Sequence, residues 1–264
     1  MKLCMMSLMM NPATPAEIVQ AAVACGMTAI DWISTHETDP RELRKLSLDA
    51  GLKIVAHTMI KRKFIERKPD YLDDFKYSLE DAHILGAPIL MLPPFARENQ
   101  KSLEDDRKAW IEYFAQACPL AQEAGITLTL ESTGYRHSPI TTADEVLEVI
   151  RQVPGVKVTF DHGNTATADD PLQAYLKLKD YIVHFHLKDW KITDREVPGS
   201  DLKRDGRFYR DAVIGEGDLE LKKFWDAVDS RGRELYVNLE THDYSEKADH
   251  AGILRKVSDA LRNW

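Results

Sequence analysis

Acidic residues stand at the ends of strand-like segments in the second half of this chain. Glu131 closes Ile126–Glu131, Asp161 closes Val156–Asp161 and Glu240 closes Leu235–Glu240. Side chains alternate between the two faces of a strand. In each segment one face is wholly apolar, as in Ile126, Leu128 and Leu130, and the other ends in the carboxylate. A fourth segment, Ile182–Leu187, puts His184 and His186 on the face that continues to Lys188, opposite Val183, Phe185 and Leu187. Three carboxylates brought to one small volume repel each other and hold their protons tightly. A divalent cation removes that conflict. Two Glu, one Asp and one His make an oxygen-rich donor set that suits Mn²⁺ first, with Mg²⁺, Co²⁺ or Zn²⁺ as further choices, and leaves positions open for water or substrate.

The elements that must position these residues alternate in type. Strand-like runs at Lys2–Met9, Ala29–Ile33, Lys53–Ile60 and Ile89–Leu92 precede the four named above. Helical patterns follow at Thr14–Ala24, Pro40–Ala50, Asp70–Leu85 and Leu103–Ala124, from Thr142, and at Pro171–Leu178, Leu219–Ser230 and His250–Asn263. Glycine follows several of these helices, and Thr142 with Glu145 forms a capping-box signature. Strict alternation implies a parallel sheet, and eight units in 264 residues fit one (β/α)₈ barrel domain of the TIM type over residues 1–264. An open doubly wound sheet is the alternative; it would carry a glycine-rich phosphate loop after the first strand, and none is present. In a barrel the polar faces point inward and the carboxylates gather at the C-terminal mouth.

Composition sets the outer bounds. A hydrophobic share of 44% with 30% charged residues is that of an ordinary globular chain. A formal charge of −8 disfavours a nucleic-acid partner. The cysteines, Cys4, Cys25 and Cys118, are odd in number and widely spaced, which predicts a reduced, cytoplasmic protein with small buried thiols. Met1–Met10 is apolar but lacks a small-residue cleavage site and runs into a helix start at Asn11–Pro15, so it reads as a strand rather than a signal peptide. No run approaches the roughly 18 apolar residues of a membrane span.

The segments Ile126–Glu131, Phe160–Asn164 (Phe-Asp-His-Gly-Asn), His184–Trp190 (His-Phe-His-Leu-Lys-Asp-Trp), Ile214–Asp218 (Ile-Gly-Glu-Gly-Asp) and Val237–Glu240 (Val-Asn-Leu-Glu) resemble the xylose-isomerase-like barrel superfamily, the sugar phosphate isomerase/epimerase group. The resemblance spans essentially the whole chain. It implies that Glu131, Asp161, His186 and Glu240 bind one divalent metal ion and that Glu131 and Glu240 act as acid and base. It also implies that His184 and Lys188 are supporting polar residues. The ketose 3-epimerases of this group carry a His where Asn164 stands, an Arg where Ile192 stands near Arg195, and a Glu where His137 stands. The apurinic-site endonucleases of the same barrel need further His and Asp ligands that this chain lacks.

The resulting expectation is a metal-dependent isomerase or epimerase of a sugar or sugar-like hydroxyketone, working through an enediolate. A dehydratase or lyase acting on an inosose or keto-sugar is the alternative, and an accessory barrel or a hydrolase ranks lower. The substrate-binding set comprises His57, Asn164, His184, Lys188, Trp190, Arg195 and His137. Trp32, His36, Phe95, Arg97, Tyr135 and Arg136 are also placed near the mouth, with His242 and Tyr244. Within Arg195–Arg210, the bases Lys203, Arg204, Arg207 and Arg210 form a lid or bind an anionic substrate; the alternating Asp201, Asp205 and Asp211 fit a solvated loop equally well. The expected partner is a small carbohydrate, with no nucleic acid and no membrane, and a homo-oligomer is compatible with the sequence.

Overall fold

The computed structural model describes residues 1–60, 71–97, 100–229, 232–241 and 249–264. Eight parallel strands close into a barrel: β1 (Lys2–Met6), β2 (Ala29–Ile33), β3 (Lys53–Thr58), β4 (Ile89–Leu92), β5 (Thr127–Glu131), β6 (Lys157–Asp161), β7 (Ile182–Leu187) and, after an insertion, β11 (Tyr236–Leu239), which pairs with both β7 and β1. The intervening helices are α1 (Pro15–Ala24), α2 (Pro40–Asp49), α3 (Tyr71–Leu85), α4 (Leu103–Glu123), α5 (Ala143–Gln152), the short α6 (His162–Thr165), α7 (Pro171–Leu178), α8 (Leu221–Ala227) and α9 (His250–Leu261). Among the described residues no helix is long and apolar enough to cross a membrane.

Local chemistry sets the helix ends. Thr14 with Glu17 and Thr142 with Glu145 close complete capping boxes, and Asp39, Ser102, Asp170 and Asp249 accept from the first helical turn. Gly26 (φ 63°) and Gly125 (φ 71°) turn the chain out of α1 and α4 in the left-handed conformation that side chains resist. The main apolar core lies between strands and helices, where Phe160, Phe185, Tyr175 and Phe224 pack ring to ring. Inside the barrel a small cluster of Cys4, Ala29, Val55 and Tyr236 fills one level. The three cysteines are buried and free.

The first strand is shorter than its apolar run. β1 stops at Met6, and Ser7–Met10 forms a 3₁₀ turn. Ser7 is the reason: its buried hydroxyl accepts from the Ile33 N–H at 2.8 Å and pairs with His36 Nε2 at 2.9 Å, satisfying groups beyond the ladder. The polar stretch after β7 is not an irregular loop. It folds into an antiparallel sheet of β8 (Asp189–Thr193), β9 (Asp201–Leu202) and β10 (Phe208–Ala212), in the order β8-β10-β9, lying over the mouth as a flap. Asp70 and Ser230, expected at helix ends, lie outside the described residues.

Asp189 fastens the flap to the loop that leads into α8. Its carboxylate accepts from the N–H groups of Trp190 (2.9 Å), Gly215 (3.0 Å), Gly217 (2.9 Å) and Leu219 (3.3 Å), which explains the Gly-Glu-Gly spacing. A Cβ on Gly217 would stand 2.0 Å from that carboxylate. Asp189→Ala strips four donors of a buried charged acceptor. Denaturant unfolding of this variant is expected to show a loss of about 2–4 kcal/mol; a loss below about 0.5 kcal/mol would exclude the anchoring role.

Candidate functional site

Four strand ends deliver the site. Asp161 ends β6 and faces His186 in the ladder, and His186 faces Asn238 on the other side. Glu131 ends β5, and Glu240 follows β11 with its N–H donated to the Leu187 carbonyl, one step beyond the ladder. The residue two positions below each is also polar: Thr129 bonds Thr159 at 2.9 Å, His184 lies below His186, and Asn238 lies below Glu240 beside His186. The parity read from the sequence therefore holds on all four strands.

One donor atom from each of Glu131, Asp161, His186 and Glu240 lies within 4.8 Å of the others, and all four residues are buried. Ligand atoms about 2.0–2.2 Å from an ion stand up to about 4.4 Å apart, so the set is close to the span that a single ion requires. His186 Nδ1 is 2.6 Å from Glu131 Oε1 and 2.7 Å from Glu240 Oε1. Glu131 Oε1, Asp161 Oδ2 and His186 Nδ1 are buried without a hydrogen-bond partner of acceptable geometry. Such buried lone pairs are costly unless something satisfies them. Their convergence, with three hard oxygens and one nitrogen, fits a divalent cation.

The electrostatics agree. Burial raises the Asp161 carboxyl, with Glu240 and Glu131 adding to the rise and Lys188 opposing it. Burial would also raise Glu240, but Lys188 and His186 outweigh it and hold that carboxyl low. Burial would lower His186, yet Glu131 and Asp31 outweigh it and raise the imidazole well above its usual range. Lys188 Nζ sits 3.0 Å from Asp161 Oδ2, touches Glu240 Oε2 and reaches Asn164 Oδ1 at 3.3 Å. The negative field thus draws positive charge to the cluster from both His186 and Lys188.

The remaining expected residues divide into two groups. Asn164 donates its N–H to Asp161 Oδ1 (2.7 Å) and lines the cavity above the cluster. Trp190 lines it too, with Nε1 donating to the Gly163 carbonyl. Gly163 is required there, since a Cβ would stand 2.1 Å from Lys188 Cγ. Phe95 and Tyr135 stand on its rim. His184 lies below the cluster beside Asp31. His57 is buried and donates from Nδ1 to the Trp32 carbonyl, and its neighbour Thr58 takes the cavity position after a bulge in the β2–β3 ladder.

Arg195 and His137 are exposed and line no part of the cavity. Arg195 lies in the turn between β8 and β9, where its carbonyl accepts from Thr193 Oγ1; the His137 carbonyl accepts from Gln100. Arg97 is held by Asp106, and Arg204 makes a bidentate pair with Glu145, so neither is free for a ligand. His242 and Tyr244 lie outside the described residues. Of the flap bases, Lys203 alone lines the cavity, over the rings of Tyr135 (5.1 Å) and Trp190 (5.2 Å).

Asp31 is a residue the sequence reading passed over. It is fully buried on β2, accepts from Asn238 Nδ2 at 2.7 Å, and stands 3.8 Å from Nε2 of both His184 and His186. A carboxylate between Ile30 and Trp32 was the available signal. It faces the His186 ring edge opposite the one that meets Glu131 and Glu240, where a carboxylate orients the ring and raises its basicity.

The chain belongs to the xylose isomerase-like TIM barrel family, whose model matches residues 19–264. It is 24% identical to an inosose dehydratase of Lacticaseibacillus casei over 69% of this chain and 67% of that protein. A 3-keto-D-glucoside 4-epimerase of E. coli superimposes with a TM-score of 0.79 at 17% identity, covering all of both chains. The IOLI protein, whose structure carries a bound zinc atom, gives 0.78 at 15% identity over 99% of this chain and 96% of that one.

Two measurements test the centre. Elemental mass spectrometry of purified protein is expected to find about one divalent ion per chain, lost on combining Asp161→Asn with Glu240→Gln. Asp31→Asn is expected to weaken metal affinity about 10–100-fold in chelator competition, with unchanged circular dichroism; equal affinity would reduce Asp31 to a packing role.

Proposed function

We propose that this protein is a divalent-metal-dependent enzyme that isomerises or epimerises a sugar-like hydroxyketone, with Glu131 and Glu240 exchanging the proton. The observation that carries this reading is the pair of glutamates on one imidazole, with Asp161 beside them, at the floor of a cavity of about 320 Å³. Glu131, Asp161, His186 and Glu240 would hold the ion, which supplies a Lewis acid for adjacent substrate oxygens and so eases loss of the neighbouring C–H proton.

The chain's own groups do the rest. One glutamate takes the proton from carbon and the other returns one. Return to the opposite face of the same carbon gives an epimer; return to the adjacent carbon gives an aldose–ketose pair. Lys188, fixed by Asp161 and Asn164, holds Glu240 Oε2 in place. Burial of both glutamates limits their competition with water.

A dehydratase is the second reading, favoured by the inosose dehydratase relative and by Lys188. There a glutamate would remove the proton, the C–O bond to a β-hydroxyl would break, and Lys188 would give that oxygen a proton as it leaves as water. NMR in deuterated buffer separates the readings across ketoses, inososes and 3-keto sugars. The first predicts deuterium entering carbon without loss of water; the second predicts an unsaturated product. Glu131→Gln and Glu240→Gln should each slow exchange about 10²–10⁴-fold. Exchange that persists unchanged in both variants would refute the acid–base assignment.

A further inference from the structure

The cavity over the cluster is two-sided, and its sides come from different halves of the barrel. The elements from β5 onward contribute the carboxylates and ammonium groups of the lining, Glu131, Lys188, Lys203, Asp211 and Glu240 among them, together with the rings of Tyr135 and Trp190. The elements up to β4 contribute Met6, Leu8, Met9, Ile33 and Met91, continued by Ile60, Pro93 and Phe95 after β3 and β4, and among the described residues Thr58 is the one hydroxyl of this wall. Met6, Met9, Ile33 and Met91 are buried, whereas Leu8 and Ile60 are 36% and 43% exposed and carry the wall out to the rim. Apolar side chains that line one side of a cavity suit an apolar part of its ligand.

A free sugar presents hydroxyls on all sides. With its reacting oxygens turned to the carboxylates and Lys188, the remaining hydroxyls would meet thioethers and methyl groups that give them no hydrogen bond in exchange for lost water. A sugar that carries an apolar substituent avoids that loss and buries the substituent instead. Methionine favours aromatic rings in particular, through polarisable sulfur at the ring edge, and its unbranched chain adapts to their shape. A cavity of about 320 Å³ falls at the small end of the range of about 300–1,000 Å³ that suits drug-sized ligands.

From this division we infer that the substrate is a glycoside with an aromatic aglycone, whose sugar ring faces Glu131, Lys188 and Glu240 and whose aglycone packs on Met6, Met9, Ile33 and Met91. The inference rests on the site acting on a sugar, as proposed above, but it concerns recognition and not proton transfer.

Calorimetric titration of the Mn²⁺-supplemented protein with phenyl and methyl β-D-glucoside tests it without turnover. The phenyl compound is expected to bind about tenfold tighter or more. Combining Met6→Gln with Met91→Gln is expected to bring the ratio towards one. Leu8→Gln, at the exposed rim, should cut the ratio about twofold or more and serves if the double variant does not fold. Equal affinity of the two glucosides, binding of neither at millimolar concentration, or a ratio unchanged in the folded variants would overturn the inference. A phenyl preference lost in the variants, in a protein that exchanges no carbon-bound proton of any keto-sugar, would uphold the wall while the proton-transfer function fails.

Discussion

Like charges forced together inside the barrel are the constraint on which the rest depends. Glu131, Asp161 and Glu240 converge with His186 where little water reaches them. Such a group is unstable on its own, because burial and mutual repulsion both oppose the ionised carboxylates. The fold tolerates it by supplying cationic charge from Lys188 and a raised His186, and by backing the imidazole with Asp31 and Asn238. A divalent ion would meet the same need with one compact charge. The cost is borne by the remainder of the barrel, whose apolar packing between strands and helices is continuous.

The two halves of the barrel do different work at the mouth. The later strands and the residues just after them bring ionisable groups to the cavity, while the earlier ones bring Met6, Ile33, Met91 and the hydroxyl of Thr58. The flap belongs with the later half. Asp189 ties it to the loop that starts at Gly215, Arg204 ties it to Glu145 at the start of α5, and Lys203 lies over the rings of Tyr135 and Trp190. The Ile214–Asp218 segment is thereby structural: both glycines donate their N–H groups to the Asp189 carboxylate, and glycine is needed at Gly217 because a Cβ would clash with it and at Gly215 because its backbone is left-handed (φ 88°).

How much was legible in the sequence follows from the range of the forces involved. Strand and helix identity, helix ends and inward parity depend on neighbours a few positions apart, so Ile126–Glu131 or Thr142–Glu145 could be read directly. The four-residue cluster was legible because identical parity on four strands leaves one arrangement in a closed parallel barrel. Arg195 and His137 could not be placed, because a side chain on a long connection goes where distant partners hold its backbone. Asp31 and Lys203 were obscured for the same reason: one gains meaning from Asn238 and His186, the other from Tyr135 and Trp190.

By itself, then, the sequence determined the alternating elements and the residues whose polar faces turn inward, since both are encoded in local periodicity and spacing, and its motifs carried the likeness to the family. Only the tertiary structure decided that Lys203, of the four flap bases, reaches the cavity, that Asp31 stands behind His186, and that methionines separated by some 85 residues, Met6 and Met91, form one wall with Met9. Those relations exist only after the eighth barrel strand, β11, closes on β1 and sets the register around the ring.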